Sequence, residues 1–180
     1  MLGTVELLKL VKEVKLVENL CDRELNNPEG TGFDLQLGGV YKFKDGMNSA
    51  FLGVEERFTP ETELVAKYGV DKDIFVKPGD YYIIETIEKV NMPKDMVGFF
   101  RPRTTLQRSG LGLISGTCNP GYSGKLSFGL YNVGPNTVKI ELGARLVHML
   151  FDRTGENVSS YRGQWQGGRV STEGKKEVQV

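Results

Sequence analysis

The stretch RPRTTLQRSG, Arg101 to Gly110, sets three arginines beside two adjacent threonines and closes on a glycine. Arginine presents a planar fork of donors that stays charged and suits phosphate. Threonine hydroxyls add short donors, and a turn that exposes backbone N–H groups would complete a cradle for an oxyanion. Most of the stretch reads as neither a helix face nor an alternating strand. Surface ion pairs with neighbouring Glu and Asp would use the same residues, so the cluster alone leaves both readings open.

The rest of the chain narrows the choice. Lys+Arg and Asp+Glu both number 23, so the 180 residues carry no net charge and no broad basic footprint for nucleic acid. A local basic cluster must then serve a small anionic ligand or an internal ion pair. At 39% apolar and 26% charged residues, the composition is that of a soluble globular protein. The length fits one domain, or one domain with an appended arm, and is enough to bury a core.

Cys21 and Cys118 lie far apart and cannot make a disulfide-rich scaffold, so both are expected to be reduced, buried and structural. No run approaches the ~18 apolar residues of a membrane span. The start, MLGTVELLKLVKEVK, is interrupted by charge and lacks a signal-peptide core. The expectation is a cytoplasmic protein with no membrane partner.

Several chemistries are excluded by what is missing. GYSGKL holds a Gly-Lys pair without a phosphate-binding loop, and GLGLISG misses the dinucleotide glycine spacing. The single histidine and two distant cysteines cannot build a zinc deaminase site. A Ser-His-Asp triad would need His148, which sits in a strand-like apolar run and reads first as a core residue.

The elements that must position the cluster are mostly strands. Thr4 to about Lys15 reads as a short amphipathic helix, with Leu7, Leu10, Val11 and Val14 at helical spacing and Thr4 as its N-cap. Short strands follow: FDLQLGGVYKF, YYIIETIEKV after the turn KPGD, MVGFF after NMPKD, GKLSFGLYNV, TVKIEL after GPN, and GARLVHMLF. Strands about ten residues apart with Gly/Pro punctuation predict an all-β barrel or jelly roll. Gly46 to Asp73 breaks this rhythm, and TPETELVAKYG within it reads as a helical turn or a surface insertion. From Tyr161 the chain is rich in Gly and polar residues but keeps Trp165, its only tryptophan. An arm that closes over something accounts for that residue better than a free tail. The expected division is a β domain with its helix over residues 1–160 and the arm over 161–180.

Five segments occur in order: TGFDLQLG, RPRTTLQRSGL, GTCNPGYSGKLSFGLYN, GARLVHMLF and YRGQWQGG. Together, over roughly Gly30 to Arg169, the set resembles the superfamily of trimeric dUTP pyrophosphatases and dCTP deaminases. TGFDL is similar to the pyrophosphatase AGYDL. PRTTL is similar to PRSGL there and to RSSLAR in the deaminases. NPGYSG is similar to DPGWSG or DSDYRG, and GARLVHML to GxRxAQL. The spacing of YRGQWQGG is nearest the deaminase type.

The resemblance implies a distorted β jelly roll, a homotrimer with sites at subunit interfaces, and a deoxyribonucleoside triphosphate ligand, of deoxyuridine or deoxycytidine, carrying Mg²⁺ on its phosphates. On this reading Arg103, Thr104, Thr105 and Arg108 hold the triphosphate. Tyr122 packs on the deoxyribose, and Ser127, Phe128 and Gly129 offer backbone groups to the pyrimidine edge. Tyr161, Gln164, Trp165 and Gln166 come from the closing arm. Mg²⁺ bound through phosphate explains why no carboxylate cluster stands out.

Two positions depart from the pattern. Asn119 stands where the family has an Asp that contacts the sugar and the attacking water; an amide can hydrogen-bond but takes no proton. Gly129 stands where deaminases carry the Glu that activates water. The motif-four Gln of pyrophosphatases is His148 here, which brings His148 near the phosphates. With Arg103 and Asn119 as the catalytic pair, the expected reaction is hydrolysis of dUTP to dUMP and pyrophosphate. A dCTP deaminase, a bifunctional enzyme, and a nucleotide-binding regulator without catalysis are the alternatives.

Overall fold

The computed structural model describes residues 1–46, 49–155 and 158–178. Helix α1 (Thr4–Val14) places Leu7 in the core, with Leu8, Leu10 and Val11 packed against it. It departs from expectation at both ends. Gly3, not Thr4, is the N-cap, with no side-chain cap bond, and Val14 is half-exposed. The helix stops because Lys15 turns left-handed at φ 53° and returns its N–H to Leu10 O, an ordinary helix-ending geometry.

In chain order the remaining elements are β1 (Val17–Glu18), α2 (Asp22–Asn26), β2 (Gly32–Phe43), β3 (Phe51–Leu52), β4 (Glu56–Phe58), β5 (Thr62–Lys67), β6 (Asp73–Val76), β7 (Tyr81–Asn91) and β8 (Met96–Pro102). Then come α3 (Thr104–Arg108), β9 (Leu111–Ile114), β10 (Thr117–Cys118), β11 (Ser123–Asn132), β12 (Val138–Glu141), β13 (Arg145–Arg153) and β14 (Glu177–Val178). No helix among the described residues is long and apolar enough to cross a membrane.

A curled antiparallel sheet runs in the order β10-β8-β13-β2-β7-β11-β9, with β1 added on β7 and β5 on β2. The long strand β2 makes the curl. Its first part pairs with β13, its second with β5 and β7, and the register shifts between Leu37 and Gly39. Such an irregularity bends a strand and increases its twist. The expected strand YYIIETIEKV lies within β7 and alternates: Ile84, Thr86, Glu88 and Val90 all point inward. That period carries a glutamate into the core along with the aliphatics. Phe33, Leu35, Leu37, Val40, Met96, Met149 and Phe151 fill the centre.

The segment TPETELVAKYG, expected as a helical turn or a surface insertion, has no helical turn at its centre: it holds strand β5, paired with β2 from Phe43↔Thr62 to Gly39↔Lys67. Leu64 and Val65 are both exposed, so the strand shows no clean alternation to betray it. Tertiary pairing on the free edge of β2 decides its conformation. Before it, β3 and β4 form a hairpin whose second strand pairs with β14 of the C-terminal segment. The break between Gly46 and Asp73 is therefore an inserted hairpin that holds the end of the chain. Met47 and Asn48 of that segment, and Gln179 and Val180 of the arm, lie outside the described residues.

The cluster Arg101 to Gly110 is more regular than its sequence suggests. Strand β8 ends at Pro102, which has no N–H to extend a ladder, and the chain turns directly into α3. Leu106 is the buried anchor of that one-turn helix. Gly110 follows at φ +82°, and a Cβ there would meet Gly134 Cα at 2.7 Å. Both the left-handed backbone and the close approach require glycine.

Candidate active site

The motif segments converge on two clefts rather than one. The first encloses about 440 Å³ between the start of β7, the middle of β11, the 116–122 loop and the C-terminal segment. It collects Asn119, Tyr122, Ser127, Phe128, Tyr161 and Trp165 from the expected site. The second, about 490 Å³, lies against α3 and the turn before β13, and collects Arg103 and Thr105. No residue lines both.

The first cleft is walled by aromatic pairs. Phe43 stacks on Tyr81 with centroids 5.6 Å apart, Phe100 meets Phe128 edge-on at 4.9 Å, and Tyr122 meets Tyr161 edge-on at 5.4 Å. β9 pairs with β11 only from Gly129 to Asn132. That ladder stops short of Ser127 and Phe128 and leaves their edge facing the cleft. Asn119 is exposed in the loop, its Oδ1 3.4 Å from Thr117 Oγ1. Among the described residues Arg169 is the only charged side chain in the lining; no carboxylate reaches it.

Gly129 does not line this cleft. A Cβ there would meet Tyr81 Oη at 2.6 Å and Ile114 Cβ at 3.2 Å, so the Tyr81 ring covers the position. Burial raises the Tyr122 phenol, which donates to Lys125 O, and pushes the Cys118 thiol up to about 12, so Cys118 stays protonated and inert. The two cysteines are free; Cys118 is buried as expected, whereas Cys21 is only partly covered and lines the second cleft.

The arm is docked on its own chain. Tyr161 N–H donates to Pro120 O, Gln166 Nε2 donates to Gly121 O, and Ser123 N–H donates to Gln166 Oε1. Gly124 and Gly167 form a bridge so close that a Cβ on Gly124 would lie 2.6 Å from Gly167 C. Trp165 lies under two guanidinium groups, Arg169 at 5.1 Å and Arg57 at 5.7 Å from its ring centre, a cation–π arrangement. Gln164 faces away from the cleft and accepts from Arg57 Nε at 2.8 Å, which ties the arm to β4. Thr59 and Thr172 exchange backbone-to-hydroxyl bonds at 2.9 and 3.0 Å.

Around the second cleft the charges form a network. Asp34, from TGFDL, takes Arg103 Nε at 3.1 Å, Arg145 Nη1 at 3.2 Å and His148 Nδ1 at 2.8 Å. Burial opposes ionisation of Asp34. The His148 bond and the Arg103 and Arg145 charges outweigh it and hold the carboxyl below its ordinary range. Arg145 also reaches the buried Glu24 at 3.0 Å. Thr104 and Arg108 stand exposed on α3. His148 therefore joins the arginines through Asp34. Phe43, Tyr81, Thr59 and Arg169 were missed; they lie outside the five segments or at their edge, and only the fold brings them to the cleft.

Residues 1–154 match the family described as dCTP deaminase-like, and the chain belongs to that family. It is 29% identical over 143 residues to a dCTP deaminase of Pyrobaculum calidifontis, covering 78% of each chain. It is 32% identical over 138 residues to a probable deoxyuridine 5'-triphosphate nucleotidohydrolase of Aeropyrum pernix, covering 76% of this chain and 82% of the relative. Its fold is similar to that of the solved 2'-deoxycytidine 5'-triphosphate deaminase from Agrobacterium tumefaciens, with a TM-score of 0.62 at 16% identity. That match covers 86% of this chain but spans only 48% of the solved one. The fold is thus the distorted jelly roll expected from the motifs, with an N-terminal helix and a C-terminal arm.

Proposed function

We propose that the chain is a hydrolase of pyrimidine deoxyribonucleoside triphosphates that converts dUTP to dUMP and pyrophosphate. The observation that carries the reading is the first cleft, where two of the five motif segments, GTCNPGYSGKLSFGLYN and YRGQWQGG, meet in a carboxylate-free, aromatic-walled space with an open strand edge. The base lies against Phe128 with the Ser127–Phe128 backbone at its edge. The deoxyribose packs on Tyr122, and Trp165 covers the opening.

Arg103, Thr104, Thr105 and Arg108 bind the triphosphate in this reading, yet Arg103 and Thr105 line the other cleft and Thr104 and Arg108 stand exposed on α3; none of the four lines the first cleft. A second copy of the chain must bring them to the first, which supports a homotrimer with shared sites. Among the described residues no group of three His, Cys, Asp or Glu side chains could hold a metal ion. The donor set fits Mg²⁺ that arrives on the nucleotide. When bound there it neutralises phosphate charge as a Lewis acid. Asn119 orients the water that attacks the α-phosphorus. The bond from that phosphorus to the bridging oxygen breaks, and the arginines stabilise the charge that develops.

Deamination of dCTP is the second reading, favoured by the names of several relatives. It lacks a base in the first cleft, where no carboxylate lines the wall. The sharing of the site is tested by complementation. Arg103→Ala and Asn119→Ala are each made inactive and then mixed under exchange conditions. Recovery of dUTP turnover supports a site shared between copies, and no recovery in confirmed mixed assemblies contradicts it.

A further inference from the structure

Three tyrosines line the first cleft: Tyr81, Tyr122 and Tyr161. Two of them use their hydroxyls inside the protein. Tyr122 donates to Lys125 O, and Tyr161 Oη accepts from Trp165 N–H at 3.2 Å. Tyr81 Oη has no hydrogen-bond partner among the described residues, and burial raises its phenol, so it is neutral and uncommitted at physiological pH.

The position of the ring is fixed from two sides. Tyr81 pairs with Tyr131 across the β7–β11 ladder, which makes Gly129 its diagonal neighbour on the same face. The missing side chain at 129 leaves the space that the phenol fills, with the hydroxyl over the glycine. From the other side Phe43 stacks on the ring at an interplanar angle of 13°. Packing explains the ring, because an aromatic commonly covers a strand glycine. It does not explain the hydroxyl, since phenylalanine would pack equally well.

We infer that Tyr81 is a specificity-determining residue whose hydroxyl donates a hydrogen bond to a ring carbonyl oxygen of the bound pyrimidine. The inference rests on the nucleotide reading above and adds to it the group that recognises the base. The hydroxyl lies beside Gly129 on β11, next along the strand from the open Ser127–Phe128 edge, so the backbone and the phenol face the same end of the cleft. Neutral and without an adjacent carboxylate, it serves recognition and not water activation.

Two variants test this. Tyr81→Phe keeps the ring and its stack and removes one oxygen. Gly129→Ala keeps the hydroxyl but pushes it aside, because the new Cβ lies 2.6 Å from it. Binding is measured by calorimetry with Mg²⁺ and the α,β-imido analogue of dUTP, and with inorganic tripolyphosphate as the base-free probe. Loss of one neutral hydrogen bond should weaken the nucleotide about 3–10-fold in each variant and leave tripolyphosphate unchanged. In turnover KM should rise while kcat stays nearly constant. Parent-like nucleotide affinity in both folded variants overturns the role of Tyr81 and leaves the nucleotide reading standing. A parent protein that binds tripolyphosphate but not the nucleotide overturns the reading itself, and this inference with it.

Discussion

Arg103 Nε lies 3.1 Å from Asp34 Oδ2, which joins the arginine cluster to the TGFDL segment nearly seventy positions earlier. The sequence offered two uses for Arg103, a phosphate or an internal ion pair. The structure shows the ion pair, and the pair leaves the guanidinium partly exposed, with 34% of its side-chain surface accessible, at the edge of the second cleft. An arginine oriented by a buried carboxylate is positioned for a ligand at a reduced entropic cost.

Removing the cations tests that use. Arg103→Ala and Arg108→Ala should each weaken Mg²⁺-nucleotide binding roughly tenfold or more, since charge-assisted bonds contribute about 1.5–3 kcal/mol. Asp34→Asn should loosen Arg103 and give part of the same loss. Calorimetry that finds parent-like affinity in both arginine variants would remove the cluster from the site.

The arm makes a second prediction. Trp165 is the only tryptophan; it lines the first cleft, and its ring also meets the guanidinium groups of Arg57 and Arg169. Nucleotide binding should shift its fluorescence. Arg57→Ala removes the bonds to Gln164 and should weaken nucleotide binding several-fold without unfolding the body. Among the described residues no buried aliphatic core residue lies beyond Phe151, so truncation after Ser160 should leave a folded β domain. Circular dichroism of the truncated chain checks this, and global unfolding would show the arm to be part of the core.

A third prediction concerns pH. Burial pushes the Glu88 carboxyl up to about 7 from an ordinary 4.5, against the N–H that Gln36 donates to it. Its other oxygen is buried without a partner among the described residues. The folded state therefore holds a proton that the unfolded chain releases above pH 4.5, and stability falls as pH rises through that window. The loss is complete above about 7, on the order of 3 kcal/mol for this group. Glu88→Gln mimics the protonated form, so its stability relative to the parent should grow between pH 4.5 and 7.5. Denaturant unfolding at several pH values measures it; a constant difference would show that Glu88 ionises normally.

Asn119 supports a fourth. Positioned general bases contribute about 10²–10⁴-fold, and an amide cannot accept a proton. Asn119→Asp should raise the hydrolysis rate at neutral pH and add an acidic limb to the rate profile, with KM rising from charge repulsion. Turnover at or below that of the parent, with the fold intact, would show that the proton goes elsewhere.

The strands were legible because they recur about every ten residues and their turns carry Gly and Pro, as in KPGD before β7. β5 was not, because Leu64 and Val65 both face solvent and its conformation comes from pairing with β2. Of the residues that line the first cleft, Asn119, Tyr122, Ser127, Phe128, Tyr161 and Trp165 stood in the ordered motifs. Their partition into two clefts was not, since nothing local to Arg103 or Trp165 says which face each will reach. Tyr81 and Arg57 were invisible for the same reason: each matters through a residue far away in sequence, Gly129 in one case and Trp165 in the other.

The reaction is decided by its products. The pure protein is incubated with Mg²⁺ and, separately, dUTP, dCTP and dTTP, and the nucleotides are separated by chromatography. The expected products are dUMP and pyrophosphate from dUTP, with dCTP left as it was. Formation of dUTP from dCTP would contradict this reaction in favour of deamination. Intact nucleotides throughout, with measurable binding, would contradict it in favour of a nucleotide-binding regulator.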